Sequence, residues 1–533
     1  MPFPKAISHP LLAIRDSLNE RFPPSSVKLR SMLRRHRNRA EDASGEGTGD
    51  GVQYVRIPAG AGTEALFAKI VAHLDRHSVR YLAGGGPVPS AMRLNIAGSD
   101  APSFVSVLAT ALDRDSSVCI RAAGGRIKPP DAAAEILAGN KARSFELMNP
   151  ERTCDGPRGR TVFYSAIEVN IWNEMETHSG ETLLQSGLNS PYASQIRPGT
   201  FRDLQDRGGD LADHESPVGF VRFPVDIVYT WVDDRDAEWR DLKARHLGAI
   251  AKSGGRSGDS ERFRNREELR YSLRSVELFA PFVRTIHIVT SGQIPAWLDL
   301  DHPKIRIVPH SEIYRSPDML PTFNSSGIET QLHHIDGLAE HFLYFNDDFF
   351  LGKVCSAEDF FFSNGMLKYF PGRKRVFEAD IDESSEEYIA ADANAIGLIG
   401  GAYGSCNREI MQHAPYPSSR SLLSKMEDMF RTEFDKCAAS KFRSADDLRP
   451  IAFMQYHMGF HERMAVPSRI SHRYLTLSAP SIAAQLEEIL LSRKYRTFCI
   501  NDGWVAPEKA QATDTLVRDF LEHYFPLKST FEI

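Results

Sequence analysis

The chain has 533 residues, enough for two or three domains and at least one large core. It is 42% hydrophobic and 25% charged, an ordinary globular balance, and a net charge of −6 speaks against a dedicated nucleic-acid binder. Six scattered cysteines (Cys119, Cys154, Cys355, Cys406, Cys437, Cys499) form no CxxC pair, which suits reduced thiols in a cytosolic protein and speaks against a disulfide framework or a zinc site.

The N-terminal MPFPKAISHPLLAIRDSLNERF lacks the continuous apolar segment of a secretion signal. No later stretch reaches the ~20 apolar residues that span a bilayer, so a cytoplasmic location is expected. Residues 28–39, KLRSMLRRHRNR, are basic with Leu29, Met32 and Leu33 interleaved. They read first as a solvated arm, and second as a peripheral contact with an anionic membrane surface at the inner face of the plasma membrane. Residues 41–51, EDASGEGTGDG, read as a linker.

An accessory α/β domain is expected over 52–178. VQYVRI (52–57) reads as a strand, and TEALFAKIVAHLDRH (63–77) carries Leu66, Ile70 and Leu74 on one helical face. Strands follow near 117 (SVCIRAA) and 161 (TVFYSAIEVNIW). In the last, Ile167, Val169 and Ile171 alternate with Glu168 and Asn170, so one face is expected to be wet. Gly84-Gly85-Gly86 reads as a turn, since no P-loop lysine follows it. Residues 179–220 show little periodicity and read as a connector to a larger domain over 221–533.

That domain contains four candidate buried strands: 225–232, 285–290, 304–309 and 341–345. Helical patterns separate the first from the second (Leu269, Leu273, Val276, Ala280) and the third from the fourth (Ile328, Leu332, Ile335, Leu338). Strand–helix alternation implies a mostly parallel, Rossmann-like α/β sheet. Ligands bind beyond the carboxyl ends of such strands. Those ends here carry Asp233-Asp234-Arg235-Asp236, Ser291-Gly292, His310-Ser311-Glu312 and Asn346-Asp347-Asp348. Asp347 and Asp348 sit inside FLYFNDDFFL, where two adjacent carboxylates are costly to desolvate unless a cation meets them. A divalent metal carrying a phosphate is the natural partner. Over 327–338, Glu329, His333 and Asp336 are expected to share a helix face, with Ser326 as cap and the helix start as an anion seat. His413-Ala414-Pro415-Tyr416 offers a general base, Lys441-Phe442-Arg443 offers phosphate-binding cations, and Cys499-Ile500-Asn501-Asp502 repeats the apolar-to-Asn-Asp form.

These residues resemble the Stealth family of sugar-1-phosphate transferases, which includes bacterial capsule and exopolysaccharide phosphotransferases and the catalytic part of animal GlcNAc-1-phosphotransferase. The likeness runs over roughly 221–533. It rests on DIVYTWVDDRD, on RFRNREELRYSLRSVELFAPFVRTIHIVTSGQIPAWL through LPTFNSSGIE, on LYFNDDFFLG, and on KFRSADDLRP with MQYHMGF, with HAPYP and CINDG beside them. The resemblance implies a glycosyltransferase-A-like catalytic fold and a metal, Mg2+ or Mn2+, held by Asp347 with Asp348 or Asp502. It implies a nucleotide-sugar donor, commonly UDP-linked, and a glycan or polysaccharide acceptor. The sugar moves with its phosphate, and a nucleoside monophosphate leaves. Arg443 is then expected to clamp phosphate, His413 to act as first-choice base and Glu329 as second. Asp233 is expected to meet the donor, with Asn324, His333, Arg270 and Asn501 as further substrate contacts. Asp234-Arg235, Asn265-Arg266, Gln331 and Ala414 depart from the family's usual residues, and the first three bear on sugar and acceptor choice more than on the reaction. An ordinary metal-dependent glycosyltransferase and an inactive assembly subunit are the alternatives.

Overall fold

Two β-sheets organise the chain. The computed structural model describes residues 52–58, 61–84, 92–112, 117–122, 127–128, 144–156, 159–188, 193–211, 219–251, 264–377, 387–502 and 505–533. The basic segment 28–39, the linker 41–51 and Gly85-Gly86 lie outside the described residues.

The first sheet has nine strands around a long spine, Gly159–Glu176. Met92–Ala97 and Val52–Arg56 pair parallel to that spine and Phe145–Gly156 pairs antiparallel. Helices Ala61–Arg76 and Ala101–Ala111 cover one face, seating Ile70, Leu74, Phe104 and Leu108 on Ile167, Val169 and Ile171. The opposite face is not wet, as expected from Glu168 and Asn170, but buried. Glu168 is 5% exposed and accepts from Arg93 Nε at 2.9 Å and Arg56 Nη2 at 2.9 Å. Asn170 donates to Asn95 Oδ1 at 3.0 Å and Ser186 Oγ at 2.9 Å. The alternation separates the two faces correctly, but a polar face can be interior when every charge on it is paired.

Residues read as a connector join this sheet. Thr182–Ser186 and Gln195–Ile196 are strands, and Pro198–Arg207 is a helix that starts on proline and ends at Gly208 in the left-handed region. Its Phe201 and Leu204 bury against Trp172 and Leu184. The first sheet also touches the second half. Gln53 Nε2 donates to Leu491 O at 3.1 Å, and Val55 and Phe163 enter the large core of residues 225–531.

In the second half we number β1 Val225–Thr230, β2 Val283–Thr290, β3 Ile305–Pro309, β4 His341–Asn346, β5 Phe349–Leu351, β6 Tyr416–Ser419, β7 His472–Thr476 and β8 Thr497–Asn501. The main sheet runs β3-β2-β1-β4-β6, with the first four parallel and β6 antiparallel to β4. The four expected strands are therefore present in a mostly parallel α/β sheet. Helix α1, Glu268–Phe279, lays Leu269, Leu273 and Val276 into the core. Each such fully buried leucine contributes ~2 kcal/mol. A second small sheet, β5-β8-β7, abuts the carboxyl end of β4.

The helix expected over 327–338 is interrupted. A five-residue helix, Ser325–Glu329, gives way to a 3-10 turn at Leu332–His334, and Ile335 is no longer helical. Thr330 Oγ1 donates back to Gly327 O at 2.6 Å, and Gly337 turns the chain at a φ of 69°. Leu332, Ile335 and Leu338 are buried all the same, so their spacing is satisfied by turns. Glu329, His333 and Asp336 therefore share no face, and the anion seat expected at the helix start goes with the helix. The cap is Asn324, not Ser326: its side chain accepts from Ser326 N at 3.0 Å.

Candidate active site

Register explains where the carboxylates gather. Thr230 of β1 pairs with Asn346 of β4, so Asp233 and Asp347-Asp348 leave the two central strands at one level. β6 pairs Tyr416 with Tyr344, which sets His413 at the same end. β8 pairs Cys499 with Phe349, which brings Cys499 and Asn501 beside Asp348.

Asp348 is the best-defined centre. Its Oδ2 accepts from Cys499 Sγ at 3.1 Å and Asn501 Nδ2 at 3.5 Å, and lies 3.8 Å from His413 Nε2. Its Oδ1 is buried without a partner. Loss of solvent, opposed by the Cys499 and Asn501 bonds and reinforced by Glu268 and Asp502, raises its carboxyl to about 7. Asp347 is pushed well above the carboxylate range by loss of solvent and then by Glu268 and Asp348. Glu268, at the start of α1, is raised by burial. Three carboxyls thus crowd one site, each held above its ordinary value.

That crowding, with the orphaned Asp348 oxygen, fits a divalent cation with hard oxygen ligands. Asp347 and Asp348 are the fitting pair. Asp348, His413 and Cys499 also lie close enough to share an ion. Asp502 is occupied differently: Arg266 Nη2 and Nη1 grip its two oxygens at 2.9 and 3.0 Å. Arg266 also bonds Asp514 Oδ1 at 2.6 Å and Glu268 Oε1 at 3.4 Å, so it ties α1 to the C-terminal segment.

His413 is enclosed by aromatic rings. Its Nδ1 meets Tyr416 Oη at 3.0 Å, and Phe349 presents an edge at 4.7 Å between centroids. Burial, with Arg449, His472 and Arg443 nearby, lowers its imidazole to about 3, so the ring is neutral at physiological pH. Glu329 is 8% exposed, accepts from Ile451 N at 3.2 Å and is raised by burial against the pull of Arg449 and Arg443. Ile451 belongs to a π-helical turn, Pro450–Met454, a geometry frequent at functional sites. Arg443 Nη2 donates to Ser325 Oγ at 2.7 Å, and Arg449 Nη1 to Asp392 Oδ2 at 2.8 Å. Two guanidinium groups therefore act electrostatically on both His413 and Glu329.

Other candidates are engaged in structural bonds. Asn324 is fully buried, and its Nδ2 donates to both Asp447 oxygens at 3.0 and 3.1 Å, which braces the loop carrying Arg443. His333 Nε2 lies 2.8 Å from Glu427 Oε2, an oxygen it shares with His334 at 3.1 Å. Arg270 Nε donates to Glu532 Oε2 at 2.5 Å. Asp233 is clasped by Arg235 Nε at 3.0 Å and Nη2 at 3.2 Å, which lowers its carboxyl. Residue-by-residue reading assigned no site role to Glu268, Arg266, Arg449, Tyr416 or Cys499, although all five stand inside the quoted motifs RFRNREELRY, KFRSADDLRP, HAPYP and CINDG. Glu268 is further masked by the amphipathic helix pattern around it.

Fold and site together define an α/β protein with a cation-ready acidic site at the carboxyl ends of its central parallel strands. Four family models match it in chain order: Stealth protein conserved region 1 over 223–249, region 2 over 262–369, region 3 over 412–459 and region 4 over 487–533. The chain belongs to the Stealth family. It is 42% identical over 313 residues to an exopolysaccharide phosphotransferase of Streptomyces coelicolor, covering 58% of this chain and 57% of that protein. A second of that name and organism is 41% identical over 378 residues, covering 68% and 40%. The exopolysaccharide phosphotransferase CpsY of Mycobacterium tuberculosis is 34% identical over 326 residues, covering 61% and 60%. The chain thus spans 40 to 60% of the length of these relatives. A crystal structure of galactosyltransferase LgtC with donor and acceptor sugar analogues aligns over 55% of this chain and 95% of that one at 11% identity; its TM-score of 0.28 carries no argument. Among the described residues, no helix is long and apolar enough to cross a membrane.

Proposed function

We propose that this protein transfers a sugar-1-phosphate from a nucleotide sugar, UDP-linked in the first instance, to a glycan hydroxyl in exopolysaccharide or capsule synthesis. The observation that carries the reading is the Asp347-Asp348 pair at the end of β4, crowded by Glu268 and faced by His413. The relatives' names point the same way.

The acceptor oxygen bonds to the phosphorus attached to the donor sugar, the bond from that phosphorus to the nucleoside phosphate breaks, and nucleoside monophosphate leaves. Such chemistry asks for positioning and charge neutralisation more than for a covalent intermediate. When bound, Mg2+ or Mn2+ supplies that neutralisation at the pyrophosphate. Asp347 and Asp348 hold the ion, while Arg266 keeps Asp502 turned to itself. Arg443 and Arg449 bind phosphate oxygens. His413, with Nδ1 committed to Tyr416, takes the hydroxyl proton at Nε2. Glu329 orients the acceptor, and is the alternative base. Asp233 meets the donor once Arg235 yields, and Asn501 steadies Asp348. Asn324 supports this machinery by bracing the Arg443 loop. His333 and Arg270 support it from their pairs with Glu427 and Glu532.

In this reading residues 221–533 form the catalytic unit, 52–211 an accessory unit that includes the strands and helix of 182–207, and 28–39 a solvated arm or, as the second reading, a peripheral membrane contact in the cytoplasm. A donor screen with purified protein and Mg2+, reading the released nucleotide by mass, tests it. UMP from a UDP-sugar supports the phosphotransferase; UDP identifies an ordinary glycosyltransferase; no turnover that depends on Asp347 identifies an assembly subunit.

A further inference from the structure

We infer that Tyr474 is a stacking platform for a pyranose ring of the acceptor glycan. This rests on the reading of His413 as the group that meets the acceptor hydroxyl. The ring of Tyr474 lies 6.1 Å from that of His413 at 71°. Among the described residues, three aromatic side chains lie against His413, and they differ in access. Phe349 and Tyr416 are buried at 0 and 3%, whereas Tyr474 is 47% exposed. It is therefore the most solvent-accessible of the three.

Its position on the strand supports this. Tyr474 of β7 is paired in register with Cys499 of β8, and side chains at paired positions share a sheet face. Cys499 points from that face to Asp348. Tyr474 consequently stands on the site's side of the small sheet, at its outer strand. The two phosphate-binding candidates approach His413 from other elements: Arg443 is tied to Ser325 and Arg449 to Asp392. Tyr474 is tied to the acceptor by its ring contact with His413, the group that takes the hydroxyl proton in this reading.

The chemistry fits a neutral sugar. A pyranose presents a face of C–H groups with partial positive charge, and an aromatic ring presents a negative face. Such contact orients the ring while leaving its hydroxyls free to meet His413. Tyr474 also lies between the third and fourth family-matched regions, 412–459 and 487–533. A residue outside the shared regions is suited to recognition that the family need not share, and not to the common chemistry.

The test uses the full chain and two variants, Tyr474→Phe and Tyr474→Ala, with methyl glycosides of glucose, galactose and mannose as probes. Saturation-transfer NMR reads contact with the sugar's ring protons without any turnover, and UMP titration reads the nucleotide side. The expected result is ring-proton transfer in the wild type and Tyr474→Phe, reduced at least about fivefold in Tyr474→Ala, with unchanged UMP affinity and unchanged melting temperature. Absence of transfer in the wild type for all three probes overturns the platform. So does unchanged transfer in Tyr474→Ala, or a matching loss of UMP affinity, which would mark a nucleobase platform. If the donor screen shows no UMP release while the NMR result holds, the platform stands and the phosphotransferase reading falls.

Discussion

Replacing Asp348 by asparagine should make the protein more stable at alkaline pH and less dependent on Mg2+. The carboxyl of Asp348 sits at about 7 against an ordinary value of 3.8. Between these values the native state holds a proton that the unfolded chain has released. Stability therefore falls as pH rises through this window. At about 1.4 kcal/mol for each tenfold change in proton affinity, the whole window is worth about 4 kcal/mol. Roughly 2.5 kcal/mol of that falls between pH 5 and 8. The side chain is only 16% exposed, so solvent screening removes little of this. In Asp348→Asn this component disappears together with Asp348's share of the Asp347 shift, while the part due to burial and to Glu268 remains. Urea unfolding at pH 5 and pH 8 measures it. The wild type should lose roughly 2.5 kcal/mol more than the variant over that range. At pH 8, Mg2+ should stabilise the wild type and do so much less in the variant. Parallel pH profiles for the two proteins would refute the claim that Asp348 is held protonated by its surroundings.

Arg443→Lys keeps the charge but loses the planar fork, so kcat should fall about 10- to 100-fold with the fold intact by circular dichroism. His413→Gln should lower kcat by about 10²- to 10⁴-fold. Because the wild-type imidazole lies at about 3, the His413 ring signals should not titrate near the ordinary histidine value in NMR spectra, and a titration there would contradict the neutral ring. Asp226, at the opposite end of β1, accepts from Arg284 Nη2 at 2.6 Å and Ala339 N at 2.8 Å and is held at about 2. Asp226→Asn should cost about 3 kcal/mol in urea unfolding at neutral pH, and that difference should shrink as pH falls from ~4 toward ~2. Arg266→Met should leave Asp502 and Glu268 without their shared cation and raise the Mg2+ concentration needed for half-maximal activity, read alongside unfolding to separate binding from stability.

The central sheet was legible because its signals are local. Aromatic and β-branched runs ending in Asn-Asp or Asp-Asp mark β1 and β4, and α1 shows its Leu269-Leu273-Val276 stripe directly. The parallel-sheet rule then placed Asp233 and Asp347-Asp348 at one edge, which the Thr230–Asn346 register bears out. Three things were not legible. Periodicity could not tell the Leu332-Ile335-Leu338 spacing of a helix from a series of turns broken by the Thr330 back-bond and Gly337. Polarity could not tell a wet face from the buried Arg93–Glu168 pair, because the partner is distant in sequence. Nor could it show that Arg266 would grip Asp502 and Asp514, more than two hundred residues away. The last two are cases where long-range pairing overrides a local preference; the first is a local back-bond and a glycine turn that periodicity does not register.

The most direct measurement is the identity of the nucleotide released when purified protein turns over a UDP-sugar with Mg2+ and a glycan acceptor. Sugar-phosphate transfer predicts UMP, with the donor's phosphorus retained in a phosphodiester product and both lost in Asp347→Asn. Release of UDP, with the phosphorus left on the nucleotide, would contradict it.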